Sequence, residues 1–215
     1  MTFIDYNWTP ILLPFVIGIR NYSRFDKAFK ILFFFVVVGV ITEISGFWAR
    51  HFLDSRNTMP QSNFYMVFSF FLLSWYYIVV LKEIIKPKIL WFIVFVFEIW
   101  AATYLVMIGS LREFLSVPQS VSKILYLLYS LAFFHKIMVE AQVKKLWRDP
   151  YFLVNVSVII YYAGNLFYSV LFNLILTYSR EFSKLTVIYF SAQNALFYLI
   201  VGWAFIRFRR NQSPN

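Results

Sequence analysis

Apolar runs and polar breaks alternate along the whole chain. The runs cover Ile4–Ile19, Ala28–Ala49, Asn63–Leu81, Ile89–Gly109, Ser122–Glu140, Phe152–Leu176 and Thr186–Phe208, and the short breaks between them carry most of the charge. About 20 apolar residues in a helix cross the hydrocarbon core of a bilayer, and most of these runs reach that length. The pattern predicts an all-α fold: one polytopic transmembrane bundle of seven helices spanning residues 1–215. The first run is the least regular. It is short, begins near Asp5 and contains Pro10 and Pro14, and proline bends a membrane helix. If it lay in the interface, six spans would remain and the N-terminus would move to the cytoplasm, with every later loop keeping its side.

Composition narrows the class. Hydrophobic residues make up 61% of the chain and the mean hydropathy is +0.68, so a water-soluble surface would be hard to build. At 25.7 kDa, with loops this short, no soluble kinase, nucleotide-binding or DNA-binding module is expected, and a signal would have to pass to a separate protein. Cysteine is absent, which excludes disulfides, thiolate metal sites and cysteine nucleophiles. The first run lacks a basic flank and a small-residue cleavage site, so it is expected to be retained and not removed as a signal peptide.

The net charge is +10, and its placement matters more than its size. Arg20, Arg24, Lys27, Lys30, Lys82, Lys86, Lys88, Lys144, Lys145, Arg148, Arg207, Arg209 and Arg210 fall in alternate breaks and the tail. The intervening breaks and helix edges hold Arg50, Arg56, Arg112, Lys123, Arg180 and Lys184, while Lys136 lies inside a run. Lysine and arginine concentrate on the cytoplasmic side of membrane proteins, so the N-terminus is expected outside and the C-terminus in the cytoplasm. Attraction to anionic lipid headgroups then accounts for the charge, and nucleic acid is not expected as a partner.

Candidate chemistry lies where polar groups enter hydrocarbon. A carboxylate there costs roughly 2.5–3.5 kcal/mol and normally faces protein or water. Glu43 lies toward the outer end of the second run, flanked by Gly39 and Gly46 on one helical face; Glu98 interrupts the fourth, within Trp91–Trp100. Two readings of Glu43 stand: a packing seam opened by the glycines, or a carboxyl lining an outward cavity. In the sixth run Tyr161, Asn165, Ser169 and Asn173 recur every four residues, beside Gly164. In the seventh, Ser191, Asn194 and Tyr198 share a face, with Gln193 adjacent. These amides are either interhelical glue or, together with the two glutamates, the lining of one outer-half cavity. Gln61, Ser62, Asn63, Tyr65, Ser69 and Ser74 on the third run could complete it. The candidate ligand-binding residues are therefore Glu43, Glu98, Asn165, Ser169, Gln193 and Asn194. Lys136 is expected to snorkel and pair with Glu140, and His135 to bond a nearby carbonyl or side chain.

Several activities lack their residues. His51 and His135 fall on opposite sides of the membrane, so no metal centre is expected, and no cofactor either. Neither a Gly-x-Ser-x-Gly elbow nor an intramembrane aspartate pair is present. The seventh run has no lysine for a retinal Schiff base, and Lys136 is read as the one lysine well within a helix. No enzymatic activity is expected. Pro60-Gln61 and Pro118-Gln119 resemble the pair of PQ-loop transporters, but both are placed before the third and fifth runs, where proline starts helices.

One segment carries a resemblance. Arg148-Asp149-Pro150-Tyr151-Phe152, continuing through Ile159-Ile160-Tyr161-Tyr162-Ala163-Gly164-Asn165-Leu166-Phe167, is similar to a family of small seven-helix integral membrane proteins of Bacteroidota. Glu43 and Asn194 fit the same pattern. The resemblance implies the seven-helix fold and a bacterial inner membrane, and it carries no mechanism.

The leading expectation is a receptor-like or accessory heptahelical protein. It would bind a small or lipidic ligand in an outer-half polar cavity and report to a cytoplasmic or membrane protein partner. The alternatives are a small-solute or ion transporter using Glu43 and Glu98, and a non-catalytic membrane effector or assembly subunit.

Overall fold

The computed structural model describes residues 9–52, 57–107, 113–140, 146–177 and 180–211, with the side chains of residues 140, 168–184, 187, 210 and 211 outside the description. A 3-10 turn (Thr9–Ile11) leads into α1 (Leu12–Asn21). There follow α2 (Lys27–Phe52), α3 (Met59–Val80), α4 (Pro87–Met107), α5 (Ser116–Glu140), α6 (Pro150–Thr177) and α7 (Arg180–Asn211). The helices α2 to α7 are long and apolar enough to cross a membrane, so the protein is an all-helical integral membrane bundle. The seven-helix count agrees with the sequence. Helix α1, however, has ten residues, a rise of about 15 Å and roughly half the hydrocarbon core.

The helix starts are written in the sequence. Asp26 accepts the Phe29 N–H at 2.9 Å and Asp149 accepts the Tyr151 N–H at 2.8 Å, capping α2 and α6. Pro60, Pro87, Pro118 and Pro150 all fall in first turns, where the missing N–H costs no helical bond. Pro60 and Pro118 are thus inside α3 and α5, not ahead of them, because α5 begins at Ser116, a turn and a half before its apolar run.

Helices α1, α2, α3, α5, α6 and α7 pack in that order into a closed ring, and α4 lies against α3 from outside. On α4 the residues Leu90, Val94, Phe97 and Ala101 recur at helical spacing and bury against α3, with the Phe70 and Phe97 rings 3.9 Å apart. Its other face exposes Phe92, Phe95, Ile99 and Val106. Short helix α1 is held by close approach. A Cβ on Gly18 would stand 2.3 Å from the Phe33 ring, so only glycine lets α2 come so near. At the end bearing the α2 and α6 N-termini, Phe25, Phe29, Phe205 and Phe208 stack together, with Phe29 and Phe208 centroids 4.3 Å apart. Lys27, Lys82, Lys86, Lys88, Arg148 and Arg209 are exposed at this end, hereafter the basic end. Such offset aromatic pairs add to area burial and fix α7 against α2.

Lys136 also reaches beyond its own helix. Its ammonium reaches from α5 to the Glu83 carboxylate and to the Val80 carbonyl, the latter at 3.0 Å, tying α5 to the α3–α4 connection. The Glu140 side chain is outside the described residues. Attraction across two elements is available because α3 ends beside this turn of α5. His135 points outward and is exposed. Trp75 packs on Phe71 and Trp91, and Trp100 on Phe97 and Tyr104, so both tryptophans serve packing.

Candidate functional site

At the end opposite the basic one, the ring encloses a cavity of about 350 Å³ between α2, α3, α5, α6 and α7. Glu43, Asn165 and Asn194 all line it, so three of the sequence candidates meet. Tyr161 joins them from α6 and Tyr198 from α7, which brings the two polar stripes face to face. From α3 come Gln61, Ser62, Tyr65 and Ser69. Asn63 turns aside and donates to the Glu113 carbonyl at 3.0 Å, bracing the α4–α5 connection.

The seam between α6 and α7 explains Gly164. Asn165 is 1% exposed; its Nδ2 donates to the Tyr161 carbonyl at 2.8 Å and to Gln193 Oε1 at 3.4 Å. Gln193 in turn donates to the Tyr189 hydroxyl at 2.8 Å. Asn165 therefore acts as glue and as cavity wall at once, while Gln193 works behind the wall and does not line the cavity. Ser169 and Asn173 are outside the described side chains.

Glu98 is placed elsewhere. It lies on the α3-facing side of α4, outside the cavity lining, with Oε1 buried and without a hydrogen-bond partner among the described residues. The expectation that both glutamates share one cavity holds for Glu43 and not for Glu98, because α4 packs outside the ring. The glycines flanking Glu43 also divide. A Cβ on Gly39 would meet Ile11 at 2.7 Å and the Tyr198 hydroxyl at 3.2 Å, a packing seam. Among the described residues Gly46 meets Arg50 alone, at 3.6 Å, and its missing side chain enlarges the cavity.

Lys123 is the residue sequence reasoning misplaced. Read as an outer helix edge, it is 7% exposed, two turns inside α5, and it lines the cavity. Its Nζ donates to the Asn165 carbonyl at 3.4 Å, the long limit of such a bond. Lys136 is accordingly not the one lysine well within a helix. The early start of α5 is the cause: from Ser116, position 123 falls at membrane depth. Gln119, Lys123 and Tyr126 all line the cavity at spacings of four and three, and that polar stripe was the available signal. Arg50, on the cavity rim one turn past Gly46, lies close enough to Glu43 to interact with its charge. Among the described lining residues the cavity thus holds two cationic side chains and one acidic one.

A second buried polar cluster was not anticipated. The Tyr77 hydroxyl meets Ser130 Oγ at 2.7 Å and donates to Asn155 Oδ1 at 2.9 Å, while Asn155 Nδ2 donates to the Ser130 carbonyl at 3.2 Å. It joins α3, α5 and α6 deep in the bundle. No group of three or more acidic or histidine side chains placed to hold a metal occurs among the described residues. Comparisons with family models, characterised proteins and solved structures return no match.

Proposed function

We propose that this is a receptor-like heptahelical membrane protein whose cavity takes a small or lipidic ligand with an anionic head, and which reports to a separate cytoplasmic partner. The observation that carries the reading is Lys123, a lysine 7% exposed on the cavity wall at membrane depth. An ionisable side chain there is expensive and marks a site of use. With Arg50 on the rim, cationic groups outnumber the carboxyl of Glu43 among the described lining residues, which favours an anionic head. Tyr65, Tyr126, Tyr161, Tyr162, Tyr198 and Phe190 supply an aromatic wall for the body. A few convergent polar groups in a concave aromatic site are what ligand pockets use.

The lysine and arginine asymmetry puts the C-terminus in the cytoplasm, so the cavity opens to the outside. A C-terminal alkaline phosphatase fusion should be inactive in cells, and an active one would reverse the orientation. Ligand binding is tested by melting the detergent-purified protein with laurate, succinate and inorganic phosphate. A saturable stabilisation by at least one probe, absent in Lys123→Met, is expected. No saturable stabilisation by any of them, or an equal one in the variant, would sink the anionic-ligand reading.

A transporter is the second reading. It is favoured by a further cavity of about 280 Å³ at the basic end, so that the bundle has a recess at each end.

A further inference from the structure

A column of buried hydroxyls lies between the two cavities. The cavity at the basic end is lined by Asp26, Asp149, Tyr151, Glu83 and Lys136, and the Tyr151 hydroxyl donates to Asp26. The ligand cavity has Ser69, Tyr126 and Tyr162 at its deep end. Hydroxyl and amide residues lie along three helices on the way from one to the other: Ser69, Ser74 and Tyr77 on α3, Tyr126, Tyr129 and Ser130 on α5, Asn155 and Tyr162 on α6. The rings touch in two groups, Tyr126 with Tyr162 and Tyr129 with Tyr77 and Tyr76. Centroids are 4.3 Å apart for Tyr126 and Tyr162, 5.6 Å for Tyr77 and Tyr129, and 5.3 Å for Tyr76 and Tyr77. Tyr76 lies within electrostatic reach of Asp149 and Asp26, and Tyr65, Tyr161 and Tyr198 within reach of Glu43. The series therefore has a carboxyl group at each end.

Its hydroxyls are not all satisfied. Ser74, Tyr76, Tyr126 and Tyr129 are at most 5% exposed, and none of their oxygens has a hydrogen-bond partner among the described residues. Tyr126 and Tyr129 point toward Ser69 and Ser74 without reaching hydrogen-bond geometry. Glu98, whose Oε1 is also without a partner, lies within electrostatic reach of Tyr126. Native cores leave few buried polar atoms unpaired, and buried water is the usual partner where they occur. Phenylalanine would fill the same space at no polar cost, so packing does not account for these hydroxyls.

We propose that this column is a water-mediated proton path between Glu43 and the Asp26–Asp149 pair. Each hydroxyl accepts a proton from one side and releases its own on the other, so a proton crosses while every hydroxyl ends neutral. The carboxyl groups take it up and discharge it. Tyr77, Ser130 and Asn155, already linked, hold the narrow middle. The path does not require a ligand in the first cavity, so it stands or falls separately from the reading above.

The test uses the full chain in liposomes loaded with a pH-sensitive dye, with a potassium diffusion potential imposed by valinomycin. Wild type should take up protons faster than empty liposomes. Tyr129→Phe and Ser74→Ala should lower that rate at least tenfold with an unchanged melting temperature, because neither oxygen has a hydrogen bond of good geometry among the described residues. Thr103→Val, on the exposed face of α4, should conduct as wild type. Wild-type uptake no faster than in empty liposomes would overturn the proposal. So would full conduction by both column variants, or loss in Thr103→Val equal to theirs.

Discussion

The Gln193 carboxamide lies against Gly164 so closely that a Cβ on residue 164 would stand 1.8 Å from its Nε2. Any side chain there must displace Gln193, and with it the contacts to Asn165 and Tyr189. Gly164→Ala should therefore destabilise by about 1–3 kcal/mol, as overpacked cores do. Gly46→Ala, whose nearest atom is a flexible arginine at 3.6 Å, should leave the melting temperature within error. Thermal unfolding of both variants in one detergent checks the contrast. Equal loss in the two would show that the α6–α7 seam is not built as described.

Lys123→Met removes a charge from membrane depth and leaves an apolar chain of similar length. The melting temperature should hold or rise, because the cost of burying the ammonium disappears. Affinity for an anionic ligand should fall about tenfold or more, the worth of one hydrogen bond to a charged group. Thermal melts of the ligand-free proteins measure the first half, and isothermal titration with whichever probe stabilises the protein measures the second. A large stability loss with unchanged affinity would make Lys123 a structural brace.

At the basic end two carboxyl groups pull stability in opposite directions with pH. Lys136, by hydrogen bond and charge, holds the exposed Glu83 carboxyl below the usual carboxylate range. Its contribution is present above the ordinary carboxylate pKa and fades as the pH falls through the lower folded value. Burial pushes Asp149 up, against the two backbone N–H bonds that favour its charge. The folded state then binds the proton more tightly, so stability falls as the pH rises from the ordinary carboxylate value through the raised one. Melting curves from pH 3 to pH 8 (about one unit beyond the usual carboxylate range on the acid side) should show this in the variants. Glu83→Gln should flatten the acid loss. Asp149→Asn, which keeps a capping side chain, should raise the melting temperature at neutral pH. The opposite sign in either variant would refute the assigned cause.

The seven-helix class, the membrane and the approximate helix limits were legible in the residues alone, because a bilayer imposes one rule on every span: enough apolar length with its backbone bonds satisfied internally. Local signals also worked where their physics is local. The helix-entry prolines and the i+4 stripe through Tyr161 and Asn165 both depend on near neighbours in the chain. What tertiary structure alone decided is which polar faces meet. Glu43 and Glu98 look alike in sequence, yet the ring admits α2 and leaves α4 outside, so one carboxyl lines the cavity and the other does not. Gly39 and Gly46 share a face, yet one receives Ile11 and Tyr198 from other elements and the other meets an arginine of its own helix beside the cavity. Lys123 changed from a helix edge to a buried wall because α5 starts at Ser116, and polar residues between Ser116 and Ser122 hide that start from a hydropathy pattern. The Tyr77–Ser130–Asn155 cluster joins residues as far as 78 positions apart, beyond any helical period. Periodicity sets which side of a helix is polar; only packing assigns that side a neighbour.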